Sequence, residues 1–221
     1  MNSVVPVGKN EIKNFMRIFV DKDEVNTYFE VMNKRWGYHN IEHVIFLLSL
    51  LREIPDSIPD NFTQLILAIL YHDYYYDITS KSNERLSAEM LASDCKIDDL
   101  IGEPKKMVIG AQSLIIKSAN PRIHSDKGCF VENWSDVLLM HDLDYSILGV
   151  GRPHYIEYMV KVASEYVKKD GYTIEQYIKG RIVFLDSLLG KENIFYLEWF
   201  KPLEDMVVKN ILFEKNLLQS K

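Results

Sequence analysis

The chain has 221 residues, a formal net charge of −6, 47% apolar and 26% charged residues, which is enough for one domain with a sizeable core or two small ones. Its basic residues are scattered, which argues against duplex nucleic acid, because a phosphate backbone needs a basic face. No run approaches the roughly 18 apolar residues of a membrane span, and MNSVVPVGKNEIKNF lacks the apolar region of a signal peptide. Cys95 and Cys129 form neither a disulfide framework nor a CxxC pair, so the expectation is a cytoplasmic protein with unpaired thiols.

In chain order, Ile12, Phe15, Met16 and Phe19, then Val25, Tyr28, Phe29 and Met32, recur at helical spacing and predict two short helices or one bent helix ending near Arg35. Trp36-Gly37-Tyr38 breaks the pattern. Asn40 is placed to N-cap a helix carrying Ile41, Val44, Ile45 and Leu48, which Pro55 and Pro59 close. Asp60 or Asn61 caps the next helix, read as running to about Tyr74. Tyr74 to Ser82 has no helical stripe and reads as a loop, and Asn83 starts another helix. Pro104 suits a first turn. Lys117 to Asn133 is the longest irregular stretch. Trp134 to Leu148 is helical, stopped by Gly149 and Gly151, and Pro153 begins a long helix ended by Gly171. Thr173 and Gln176 have the form of a capping box, and Pro202 opens a last helix. No stretch alternates as a strand would. The reading is a single all-α domain over 1–221, an irregular multi-helix bundle.

The chemistry centres on Leu65 to Asp73, LILAILYHD. A helix apolar on every side is a buried one, so His72 and Asp73 reach the interior at its end, where a carboxylate needs a compensating charge. Two other places supply partners: His39 and His43, four apart, and His141-Asp142-Leu143-Asp144. His43 shares an arc with Phe46, Leu47 and Leu50, and His72 shares one with Leu65, Ala68 and Ile69, so both point inward. Asp142 and Asp144 lie about 200° apart around a helix, so one of them faces a common site; Asp144, in line with Val137, Met140 and Leu148, is the favoured one. Two neutral imidazoles and two carboxylates match one divalent cation, and mixed N/O ligation suits Mn, Fe, Co, Ni or Zn better than Mg. The same residues also fit a metal-free set of core histidines and capping aspartates. Glu84 is a candidate to orient water, with Arg85 and Lys81 near it to meet phosphate, or all three form an ordinary exposed first turn. Tyr74, Tyr75 and Tyr76 either stack on a base or anchor their loop. Arg181 and Glu165 are expected to form a buried structural pair.

The order H…HD…D in an all-helical chain resembles the HD superfamily of metal-dependent phosphohydrolases. The likeness is nearest to a bacterial branch whose pattern reads YHN-x-x-H, F/Y-HD-x-x-Y-D, NE-x-x-SA, D-x-D-x-x-ILG and a late GR. This sequence carries Tyr38-His39-Asn40…His43, Tyr71-His72-Asp73…Tyr76-Asp77, Asn83-Glu84…Ser87-Ala88, Asp142-Leu143-Asp144…Ile147-Leu148-Gly149, Gly180-Arg181 and Asn210, in that order over residues 36–211. It departs at Ala111-Gln112-Ser113, where the branch has T-x-x-H, and at Val162-Ala163-Ser164-Glu165-Tyr166, which lacks an arginine. Arg35 stands one place out of step with the arginine that precedes YHN. The resemblance implies an HD-like bundle in which His43, His72, Asp73 and one of Asp142 or Asp144 hold one divalent metal. It also implies that His39 donates a proton to the leaving oxygen, and that the substrate is a small phosphorylated molecule, nucleotides among the candidates. The competing expectation, from the departures, is a catalytically impaired protein that binds a nucleotide or metabolite or serves as an interaction module. Oligomeric state is not readable from the sequence.

Overall fold

The computed structural model describes residues 5–121, 134–167 and 172–220. Among them the chain is all-α, as the periodicity predicts. Its helices are α1 (Lys9–Met16), α2 (Lys22–Lys34), α3 (Ile41–Glu53), α4 (Phe62–Tyr71), α5 (Asn83–Asp94), α6 (Gly102–Ser118), α7 (Trp134–Tyr145), α8 (Arg152–Val167), α9 (Ile174–Leu189) and α10 (Glu204–Gln219), with 3-10 turns at Ser146–Gly149 and Lys201–Leu203. None of the described helices is long and apolar enough to cross a membrane. The chain divides into two compact units, one formed by Met1–Arg35 with His39–His141, the other by Trp36–Tyr38 with Asp142–Lys221.

In the first unit α4 packs against α3, α5 and α6, and every residue from Gln64 to Tyr71 is buried. Each buried leucine or isoleucine of that run contributes about 1.5–3 kcal/mol by leaving water. Asn61 caps the helix by accepting from the Gln64 N–H at 3.1 Å. Asp136, at the start of α7, accepts the Asp60 and Asn61 N–H groups at 2.8 Å each. The carboxylate thus serves the donors that a helix start leaves without intrahelical partners. On α6, Gly110 lies so close to α4 that a Cβ there would come within 2.2 Å of the Gln64 side chain. Cys95 is free and buried, and burial, aided by the Asp94 charge, pushes its thiol up to about 12, so it is an inert core residue.

The second unit is held by a buried polar cluster. Arg181 donates to both carboxylate oxygens of Glu214, at 2.8 and 3.1 Å, and the Tyr155 hydroxyl donates to the same carboxylate at 2.5 Å. The pairing expected between Arg181 and Glu165 is therefore incorrect. Glu165 instead accepts the Tyr38 N–H at 2.7 Å, across a turn where Gly37 has φ +102° and no room for a Cβ beside Glu165. Asn210 donates to the Leu148 and Val150 carbonyls at 2.9 Å each, closing the 3-10 turn after α7.

Other boundaries differ for local reasons. The helix read as reaching Tyr74 stops at Tyr71, with His72 as its C-cap. The stretch read as irregular from Lys117 begins as the last turn of α6, and Pro202 lies in a 3-10 turn ahead of α10. Residues 122–133, with His124 and Cys129, and Gly171 lie outside the described residues.

Candidate metal centre

The C-terminal end of α4 is built by accounting for its carbonyl groups, which a helix leaves unpaired over its last turn. The Ala68 carbonyl accepts from the His72 N–H at 2.8 Å and the Tyr71 carbonyl from the Tyr74 N–H at 2.9 Å. The Ile69 carbonyl meets His72 Nδ1 at 2.9 Å, and the Leu70 carbonyl accepts the Tyr28 hydroxyl at 2.5 Å. Beyond the helix, the Asp73 and Tyr74 carbonyls accept from the Arg35 guanidinium. Arg35, out of step with the motif in sequence, thus reaches the site through its side chain.

This arrangement fixes the chemistry of His72. A carbonyl only accepts, so Nδ1 carries the proton and Nε2 presents a bare lone pair. His43 Nε2 lies 3.2 Å from that atom, and Asp73 Oδ2 lies 3.0 Å from His72 Nε2 and 3.6 Å from His43 Nε2. His43 and His72 are buried and Asp73 is half-buried. These three donors, all within 4.8 Å of one another, are the group among the described residues able to hold a metal ion.

The donor set fits a metal. Ligands about 2.1 Å from an ion stand about 3.0 Å apart when adjacent in an octahedron and about 3.4 Å apart in a tetrahedron, and the observed separations bracket both values. Acceptor atoms facing each other at this range need a hydrogen or a metal ion between them, and a proton on His43 Nε2, donated to His72 Nε2, is the metal-free arrangement. Burial pushes the Asp73 carboxyl up, but the positive charge of His72, His39 and His43 when their rings are protonated, with the hydrogen bond that His72 Nε2 donates in that state, outweighs it and holds the group well below the usual carboxylate range. Asp73 is therefore an anion available to either.

His39 stands beside this group. Its ring stacks on Tyr76, with centroids 3.9 Å apart and planes at 23°, and lies 6.0 Å from the His43 ring. The loop carrying Tyr76 is fastened to α5. Asn83 accepts from the Asp77 N–H at 3.1 Å and donates to the Asp77 carbonyl at 2.9 Å. The Ser87 hydroxyl accepts from the Tyr75 N–H at 2.9 Å and donates to the Tyr75 carbonyl at 3.2 Å. In Asn83-Glu84…Ser87 the asparagine and serine thus order the loop, while Glu84 is half-buried in the first turn of α5. Tyr74 is an anchor, stacked on Tyr28 at 5.6 Å and 17°, and Tyr75 is exposed.

Asp142 and Asp144 belong to the second unit. The burial order expected for them is reversed. Asp142 is fully buried, and its carboxylate accepts the Tyr196 N–H at 2.9 Å and the Leu197 N–H at 2.7 Å, while Asp144 is half-buried. The apolar stripe misplaced them because a buried aspartate is stabilised by backbone donors from a distant loop, which helical periodicity does not register. His141 is also buried. Tyr28 was not identified as part of the site from the sequence, and Arg35, Asn83 and Ser87 entered only as motif positions without a role. The signal that points to the first two is the set of carbonyls that any buried helix end must satisfy.

No protein-family model matches the chain, and no curated protein matches it. Among solved structures, the phosphodiesterase domain of the RhoPDE fusion protein from the choanoflagellate Salpingoeca rosetta is similar, with a TM-score of 0.58 and 14% sequence identity over 100% of this chain and 91% of that one. At that identity the likeness is one of fold.

Proposed function

We propose that this chain is a metal-dependent hydrolase of a phosphate ester, in the manner of the HD phosphohydrolases it resembles, acting on a small phosphorylated molecule such as a nucleotide. The observation that carries this reading is the convergence of His43 Nε2, His72 Nε2 and Asp73 Oδ2. The phosphodiesterase domain of similar fold supports it. His43, His72 and Asp73 would hold one divalent ion. The resemblance adds an aspartate from Asp142-Leu143-Asp144, and Asp144 is the one we assign, because the Asp142 carboxylate already serves Tyr196 and Leu197.

A divalent ion so held supplies positive charge for a phosphoryl oxygen and makes water acidic enough to ionise near neutral pH. The rest is the work of the side chains. Asp73 balances the ion's charge, and the Nδ1 bond of His72 aims its Nε2 lone pair. His39, kept in place by its stack on Tyr76, is the proton donor to the leaving alkoxide, since an imidazole can release a proton in that range. Glu84 is proposed to orient water.

The test is metal analysis of the purified protein, followed by hydrolysis of a generic phosphomonoester, a phosphodiester and a nucleotide panel. The expected result is one divalent ion per chain and turnover that a chelator abolishes. Absence of any bound or activating divalent ion, with no turnover across the panel, would overturn the proposal. A second reading, a binding module without turnover, draws on Gln112. Where the resembling branch has a histidine nearby, this amide donates to the Ala88 carbonyl at 3.0 Å and ties α6 to α5. That reading predicts melting-temperature shifts with nucleotides and no hydrolysis.

A further inference from the structure

We infer that Arg35 is a positioning residue that sets the metal affinity of the site, an inference that rests on the metal reading above. Arg35 follows the last residue of α2 in extended conformation, and its half-buried side chain crosses to the end of α4. The guanidinium donates to the Asp73 and Tyr74 carbonyls and lies 3.5 Å from the His39 carbonyl. One planar group therefore holds two chain segments, each bearing a side chain of the site: His39 on one, Asp73 on the other.

The position of Asp73 makes this hold consequential. His72 is the C-cap of α4, so the peptide after Asp73 lies beyond the regular helical ladder and is held at its two ends, its N–H by the Tyr71 carbonyl at 2.9 Å and its carbonyl by Arg35. Turning that peptide swings the Asp73 Cα–Cβ bond and carries Oδ2 away from the two Nε2 atoms. A guanidinium suits the task. Its fork donates in fixed directions to two carbonyls together, which an ammonium does not do, and its charge is favourable against the negative end of a helix. Outer partners of a metal site that orient its ligands typically alter affinity by about 10–100-fold when removed.

The experiment uses the full chain and cobalt(II) as the probe, reading affinity by titration and ligand geometry by the visible absorption band. Arg35→Ala is expected to weaken cobalt binding about tenfold or more and to shift the band, with Arg35→Lys falling between it and the wild type. Tyr71→Phe serves as a control for loss of stability alone, because it deletes a hydrogen bond to Asp94 of 2.8 Å from the same helix. It is expected to lower the melting temperature and leave affinity and band in place. If Arg35→Ala does not fold, Arg35→Gln, which retains one amide donor for these carbonyls, is judged by the same criteria. Wild-type affinity and band in the Arg35 variant would overturn the inference alone, as would an equal loss of cobalt in Tyr71→Phe. A wild-type protein that takes up no cobalt would overturn the metal reading and this inference with it.

Discussion

At the scale of single residues, His72 carries two duties on two nitrogens. Nδ1 satisfies the Ile69 carbonyl at 2.9 Å, and Nε2 faces His43 and Asp73. Substitutions can separate them. His72→Ala removes both and is expected to cost about 1–3 kcal/mol, because it strands a buried acceptor, as well as abolishing metal uptake. In His72→Asn the amide nitrogen occupies much the same place as Nδ1, so most of the stability should return while metal uptake does not. Urea denaturation and metal analysis on the two variants check this, and equal stability of the pair would show that the Ile69 bond contributes little. The inward direction of His43 and His72 was readable from helical arcs, since each sits among apolar neighbours on its own helix. Arg35 was not. Its contact with the site is to a residue 38 positions away, and a motif read along the chain registers it only as an arginine one place out of step.

At the scale of elements, what the sequence revealed is what short-range chemistry determines. Asn40, Asn61 and Thr173 cap as expected because a capping side chain bonds within three residues of itself. The pairing of Arg181 was misread because two helices distant in sequence supply Glu165 and Glu214, and periodicity does not say which of them turns toward it. Asp136 is a long-range element contact of the same kind, and it has a consequence for pH. Desolvation pushes its carboxyl up to about 6; the bonds from the Asp60 and Asn61 N–H groups oppose this and the Asp60 charge adds to it. The folded chain then holds the proton more tightly than the unfolded chain, whose carboxyl titrates near 3.8. The stability this group contributes is fully present below about pH 4 and is lost as pH rises through about 6. Measured by urea denaturation across pH 4–7, the wild type is expected to lose stability relative to Asp136→Asn as pH increases. A constant difference between the two would show that Asp136 titrates normally.

At the scale of the whole molecule, the three donors that converge all belong to the first unit, so a bound ion should be linked to the folding of that unit. The unfolded chain separates His43 from His72 and Asp73 by about 30 residues of coil and offers no comparable site. A ligand taken up by the folded form alone adds about 2.7 kcal/mol at one hundred times its dissociation constant. For a chain of this size each kcal/mol moves the midpoint by about 2–4 °C, so a saturating divalent ion is expected to raise the melting temperature by about 5–10 °C. The comparison that matters is the shift rather than the midpoint, because His43→Ala also opens a cavity and lowers stability without metal. With manganese, cobalt and zinc each titrated into both proteins, the shift should appear in the wild type for at least one ion and vanish in His43→Ala. The same shift in both would place the binding elsewhere in the chain. No shift in the wild type with any ion would leave the lone pairs of His43, His72 and Asp73 balanced by a proton, making the cluster a hydrogen-bonded core rather than a metal centre.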